Sequence, residues 1–188
     1  MQFATFHDLE DQSVFITGGG SGIGADLTKG FLSQGAKVTF IQRSNPEKFL
    51  AECEGKYKYE PTFIKCDVSH IEELKIALQT TAKEQGAVTV LVNNAANDTR
   101  HTLDEFTSQQ WDQTMEVNLK PHFFAAQEVV EGMKISGGGS IINFSSISYM
   151  MGNEGYPAYA TAKSAITGLT RSLARELGPH SIRVNAIM

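Results

Sequence analysis

The chain has 188 residues, 41% of them hydrophobic and 20% charged, with a formal net charge of −5. That composition suits one globular domain spanning residues 1–188 and is too apolar for a disordered chain. The acidic balance argues against a nucleic-acid partner, which would favour a basic face. The two cysteines, Cys53 and Cys66, form neither a C-x-x-C pair nor a Cys/His cluster, so no disulfide framework or metal site is expected. No run of about 18 apolar residues is present, and residues 1–10 have no apolar signal core. No membrane association is expected, and a cytoplasmic location is the default.

Strand and helix signals alternate along the chain. Ser13–Thr17 reads as a buried strand, followed by a glycine-rich turn and a helix over 23–33 that Gly35 closes. Lys37–Gln42 is a second strand, 46–54 a short helix and 62–66 a third strand. A helix over 70–84 carries Ile71, Leu74 and Leu78 at helical spacing. The apolar run 88–92 is a fourth strand, and a single long helix is expected over 109–134. Gly137-Gly138-Gly139 leads into a fifth strand over 140–144. A helix over Pro157–Leu177 stops at Gly178-Pro179, and 181–187 is a sixth strand. The alternation and the apolar, β-branched strands predict an α/β fold: a doubly wound, Rossmann-type parallel sheet buried on both faces.

Residues 17–24 read TGGGSGIG and fall between the first strand and the first helix. Glycines there allow a tight turn and let the backbone approach a pyrophosphate. The helix N-terminus adds free N–H groups and a positive dipole end. Gly18, Gly20, Ser21, Gly22, Ile23 and Gly24 are therefore candidate cofactor contacts, although their spacing differs from a plain G-x-G-x-x-G. Gln42-Arg43-Ser44 ends the second strand without a carboxylate. An acidic residue would hold the ribose 2′-OH of NAD and an arginine the 2′-phosphate of NADP, so Arg43 favours NADP, with NAD the alternative. Asp67-Val68 follows the third strand. Its carboxylate could accept a hydrogen bond from an adenine amino group, or cap the helix that starts near His70.

In combination these residues resemble the short-chain dehydrogenase/reductase family. The matches are the glycine turn, Asp67-Val68, Asn93-Asn94-Ala95-Ala96, Asn118, Ser146 and Tyr159-Ala160-Thr161-Ala162-Lys163, in that order on the expected elements. The resemblance implies an NAD(P)-dependent oxidoreductase that moves hydride between its cofactor and an alcohol or carbonyl substrate. It adds Asn94, Ala95 and Ala96 to the cofactor contacts. It also implies a homo-oligomer, dimer or tetramer, with the helices that carry Asn118 and Tyr159 at the interface. Ala96 stands where the family usually has glycine, which is harmless unless the backbone needs positive φ there. The family continues past a strand like 182–187 with a Pro-Gly turn, a substrate lid and a last strand. With Met188 as the last residue, the chain reads as truncated after the sixth strand.

Tyr159 and Lys163 lie four apart on a helix and share a face. A tyrosine titrates near about 10, so it needs a stabilised phenolate to act as a general base at neutral pH, and a neighbouring ammonium supplies that electrostatically. The resemblance gives Lys163 the nicotinamide ribose hydroxyls as well. Ser146, at the end of the fifth strand, would orient the substrate oxygen. Ser145 competes for that part, because alternation points the two in opposite directions, and the family spacing favours Ser146. Asn118 is expected inside a helix, where the resemblance makes it a link to a water beside Lys163.

The loop Asn97-Asp98-Thr99-Arg100-His101 is unusually polar. With the Phe6-His7-Asp8-Leu9 start it looks like the aldose 1-dehydrogenase branch of the family, such as D-xylose dehydrogenases. Amide and charged groups can satisfy a sugar's hydroxyls, so Asn97, Asp98 and Asn153, with Ser146 and Tyr159, are candidate substrate contacts. The plainer alternative is an exposed turn with Asp98 and Arg100 merely solvated. A 3-oxoacyl-type ketone reductase, or a truncated nucleotide-binding form without turnover, are the other functional readings.

Overall fold

The computed structural model of the protein describes residues 4–188. Its strands are β1 (Ser13–Thr17), β2 (Lys37–Gln42), β3 (Thr62–Lys65), β4 (Val88–Asn93), β5 (Gly139–Phe144) and β6 (Ile182–Ile187). Among the described residues the α-helices are α1 (Gly22–Ser33), α2 (Glu47–Cys53), α3 (Ile71–Gln85), α4 (Ser108–Asn118), α5 (Lys120–Ile135), α6 (Ser148–Met151) and α7 (Pro157–Leu177). The strands pair in parallel in the order β3-β2-β1-β4-β5-β6. The order reverses between β1 and β4, and ligands of doubly wound sheets bind beyond the strand ends at such a switch point.

All five β1 residues are buried, and the strand's period of two sorts them between two cores. Val14 and Ile16 pack with Leu32 of α1 and with Phe49 and Cys53 of α2. Phe15 faces the other way, towards Leu74 and Leu78 of α3 and Ala125 and Met133 of α5. Burying one such side chain contributes roughly 1.5–3 kcal/mol, so the sheet is stabilised from both faces. An irregularity between Ser13 and Val14 pairs them with Val88 and Val90, which puts Val88 on the same face as Leu91.

One expected element is different. The helix foreseen over 109–134 is two helices that meet at Leu119, whose φ and ψ are −130° and −55°. Pro121 is the cause. In a continuous helix its ring would clash with the Val117 carbonyl and no N–H would bond it, so the chain turns first and takes Pro121 into the opening turn of α5. Asn118 therefore ends a helix instead of sitting within one. The short α6 and the 3-10 turns at His7–Leu9 and Gly178–His180 were also not foreseen. Among the described residues no helix is long and apolar enough to cross a membrane.

Candidate active site

A cleft of about 730 Å³ opens at the carboxyl ends of β1, β2, β3 and β4, within the range of cofactor sites. Thr17 ties two of these ends together. Its Oγ1 accepts hydrogen bonds from the backbone N–H groups of Asn94, at 2.9 Å, and Ala95, at 3.0 Å. The Asn94 amide donates back to the carbonyls of Thr17 and Gly18. Gly18 has φ +70°, and a Cβ on Gly24 would lie 1.9 Å from the Gly18 oxygen, so only glycine lets α1 start this close to β1. The Thr28 hydroxyl donates to the Gly19 carbonyl, which braces the turn from below. Ser21 opens α1 without a side-chain cap, leaving the first-turn N–H groups free of a side-chain partner. A braced glycine cradle against an uncapped helix N-terminus fits a pyrophosphate.

Gly18, Ser21, Ile23, Gly24, Arg43, Asp67, Val68, Asn94, Ala95 and Ala96 line this cleft. Gly20 and Gly22 lie outside the lining. The Gly20 N–H donates to Gln42 Oε1 at 3.0 Å, and a Cβ there would strike the same amide, so Gly20 serves close packing. Ala96 keeps a negative φ, since Asp11 and Ser181 are the only described non-glycine residues with positive φ, so alanine is unstrained in place of glycine.

Arg43 reaches out from the end of β2 with its guanidinium 3.8 Å from Asp67 Oδ2 and largely exposed. Asp67 Oδ1 accepts from the Ser69 N–H at 3.0 Å and the Ser69 hydroxyl at 2.8 Å. Burial pushes this carboxyl up, but the Ser69 bonds and the Arg43 charge outweigh it and hold it below the usual carboxylate range. Asp67 therefore shapes a turn. The residue that precedes α3 is His70, which makes no capping bond, so the capping alternative is not realised.

Tyr159 and Lys163 belong to α7, and Tyr159 lines a neighbouring cavity of about 340 Å³ that shares Arg43, Asp67, Asn97 and Val117 with the cleft. Tyr159 is half-buried; Lys163 is 1% exposed. The Lys163 ammonium lies 5.6 Å from the Tyr159 ring centre and donates to the Phe144 carbonyl at 2.6 Å. No carboxylate pairs with it among the described residues, and burial pushes it down to about 8. Burial likewise raises the Tyr159 phenol, a hydrogen bond with Ser146 pulls it down, Asp98 raises it and Arg100 lowers it, with a net rise. Lys163 is not among the groups that shift the phenol, and burial is the largest influence on it. The two serines separate clearly. Ser145 Oγ donates to the Lys163 carbonyl at 2.6 Å and is buried, whereas Ser146 faces the phenol.

The family described as short chain dehydrogenase matches residues 12–188. The chain belongs to the short-chain dehydrogenases. It is accordingly an NAD(P)-dependent oxidoreductase. It is 47% identical over 186 residues to a probable galactose dehydrogenase of Rhizobium meliloti (strain 1021), which covers 97% of this chain and 72% of that one. It is 45% identical over 189 residues to a D-xylose 1-dehydrogenase of Caulobacter vibrioides (strain NA1000 / CB15N), covering 100% and 75%. The structure of Thermoplasma acidophilum aldohexose dehydrogenase, in ligand-free form, superposes with a TM-score of 0.85 at 32% identity, over 96% of this chain and 67% of that one.

In this short-chain dehydrogenase the loop after β4 is fastened at both ends. Asn118 grips its start: Oδ1 accepts from the Asn97 N–H at 2.9 Å and Nδ2 donates to the Asn97 carbonyl at 3.0 Å. His101 grips its end. Its backbone N–H donates to Gly155, its Nε2 accepts from the Ala158 N–H, and its ring stacks on Phe106 at 3.7 Å. The side chain of Asn97 accepts from the Thr99 N–H and hydroxyl, and Asn153 donates to the Tyr156 hydroxyl. Both asparagines are thus engaged within the loops; Asp98 remains exposed. Sequence reasoning missed Thr17 and His101, whose partners Asn94 and Ala158 lie far along the chain, and no local signal marks them.

Proposed function

We propose that this short-chain dehydrogenase is an aldose 1-dehydrogenase that uses NADP. The observation that carries the reading is the polar loop beside Tyr159: its Asn97 and Thr99 line the same cavity as the tyrosine, and its Arg100 lies over the neighbouring Tyr156. The names of the two relatives, a galactose and a D-xylose 1-dehydrogenase, support it. In the proposed reaction Ser146 holds the anomeric oxygen and Tyr159 takes its proton as C1 becomes the carbonyl of a lactone. Lys163 holds the ribose hydroxyls, and Asn118 keeps the loop start in register. What the nicotinamide supplies when bound is the hydride acceptor. The glycine turn, Val68 and residues 94–96 would hold the dinucleotide. Arg43, exposed at the cleft, supports a 2′-phosphate and so NADP over NAD.

Residues 1–188 are read as one such domain. A homo-oligomer is supported by the exposed Trp111 of α4 and Phe123 of α5, apolar groups suited to a contact. Turnover of aldoses with either cofactor, run against 3-oxoacyl thioesters, tests the reading. Oxidation of a sugar with NADP is expected. Activity on thioesters with none on sugars at millimolar concentration would replace it with a ketone reductase. Tighter binding of NADH than NADPH in a fluorescence titration would reassign the cofactor.

A further inference from the structure

Tyr156 is 5% exposed, and the Arg100 guanidinium carbon lies over its ring, 3.9 Å from the ring centre. The other neighbours of Tyr156 hold that ring in place. Asn153 donates to its hydroxyl at 3.1 Å, and its ring meets Tyr159 edge-on at 5.6 Å. Arg100 itself comes from a loop whose next residue, His101, is bonded to Gly155 and Ala158 on either side of Tyr156. The guanidinium is therefore fixed by stacking, which leaves its in-plane N–H donors open. Among the described residues neither Arg100 nor Asp98 forms an ion pair, with each other or with a third group. Asp98 stands between Asn97 and Thr99, which line the same cavity as Tyr159, and Arg100 lies over the ring that meets Tyr159, so two opposite, unneutralised charges border this cavity, one of them held against a ring.

Resting on the reading of the site as an aldose dehydrogenase, we propose that Arg100, laid against Tyr156, acts with Asp98 to read the ring hydroxyls beside the reacting carbon of an uncharged sugar. A sugar hydroxyl can accept from a guanidinium while its neighbour donates to a carboxylate, so a vicinal diol satisfies both charges at once. An anionic substrate would meet the Asp98 carboxylate. A simple alkyl alcohol would leave both charged groups without a partner, and sites built to hydrogen-bond a hydroxyl discriminate strongly against analogues that lack it.

The test measures kcat/KM of the parent protein, Arg100→Met and Asp98→Asn on D-xylose and D-galactose and on their 2-deoxy counterparts. The parent protein should prefer the full sugars. Arg100→Met should lower kcat/KM for them about 10–100-fold, mainly through KM, and leave the 2-deoxy sugars nearly unchanged, so that the preference collapses. NADPH affinity by fluorescence should be unaltered, while protection of the NADPH complex against thermal unfolding by added sugar should be lost. Equal losses on full and deoxy sugars, or none on either, overturn the assignment while the parent's sugar turnover upholds the functional reading. A parent protein inactive on every aldose overturns both.

Discussion

The Lys163 ammonium lies 5.6 Å from the centre of the Tyr159 ring, yet its hydrogen bond goes to the Phe144 carbonyl at the end of β5. The pair is joined through space rather than by a direct bond. Lys163 is thus held by the strand end and not by the tyrosine.

Removing the phenol hydroxyl should therefore abolish proton transfer and little else. Tyr159→Phe is expected to lower kcat about 10²–10⁴-fold, the range of general acid–base catalysis. NADPH affinity should change little, because Tyr159 lies outside the glycine cradle. Steady-state kinetics beside a fluorescence titration check this, and a variant with kcat within a factor of two of the parent would remove Tyr159 from the chemistry.

Lys163 is a buried, unpaired charge, so function here works against stability. Burial holds it down to about 8, below its ordinary 10.5. Between those two values the unfolded chain binds more protons, so the folded state gains stability as pH rises from about 8 to 10.5, and the full penalty stands below 8. Lys163→Met should raise stability at pH 7 by about 1–3 kcal/mol, or several degrees in Tm, while turnover is lost. Its advantage over the parent should shrink through the same alkaline window. Thermal melts at pH 7 and pH 10 measure both parts, and a less stable variant at pH 7 would contradict the burial argument.

Asn118 clamps the start of the β4–α4 loop through both backbone groups of Asn97. Asn118→Ala leaves those groups and the Thr114 carbonyl without their partner. A loss of about 1–3 kcal/mol is expected in urea unfolding. Because the same loop carries Asp98 and Arg100, KM for substrate should rise more than kcat falls. A fall in kcat alone, with KM steady, would place Asn118 in proton transfer instead of loop positioning.

His122, in the first turn of α5, is fully buried, and neither ring nitrogen has a hydrogen-bond partner of ordinary geometry. Burial, then the nearby Lys163 charge, push it down to about 3, against a weak opposing contact with the Asn93 backbone. Between about 3 and 6.5 the unfolded chain takes up a proton that the folded one refuses, so stability falls as pH drops through that window and is unaffected above it. His122→Gln should flatten the decline by up to about 1.4 kcal/mol per pH unit. Urea midpoints between pH 4 and 7 measure it, and parallel curves for parent and variant would show that His122 is not the group responsible.

Most of the fold was legible along the chain. β1, β2 and α7 begin and end at the residues their patterns indicate, since buried strands are unbroken apolar runs and helices carry one apolar face. The break at Leu119 was present in Pro121 but was masked by the long helical pattern around it. At the site, the glycine turn and the Tyr159–Lys163 spacing are local features and could be read directly. The choice between Ser145 and Ser146 needed more than alternation, because both reach α7 and it depends on which meets the Lys163 carbonyl and which the Tyr159 phenol.

What the sequence alone determined is the doubly wound order of elements, the cradle for a dinucleotide and a tyrosine one helical turn from a lysine. Each follows from contacts within a few residues, where spacing dictates geometry. What only the tertiary structure decided is how those pieces are aimed: Thr17 bonded to Asn94 across 77 positions, His101 to Ala158 across 57, and Arg100 laid over Tyr156. These contacts exist because sheet pairing brings distant strand ends to one edge, and no periodicity in the chain encodes which side chains meet there.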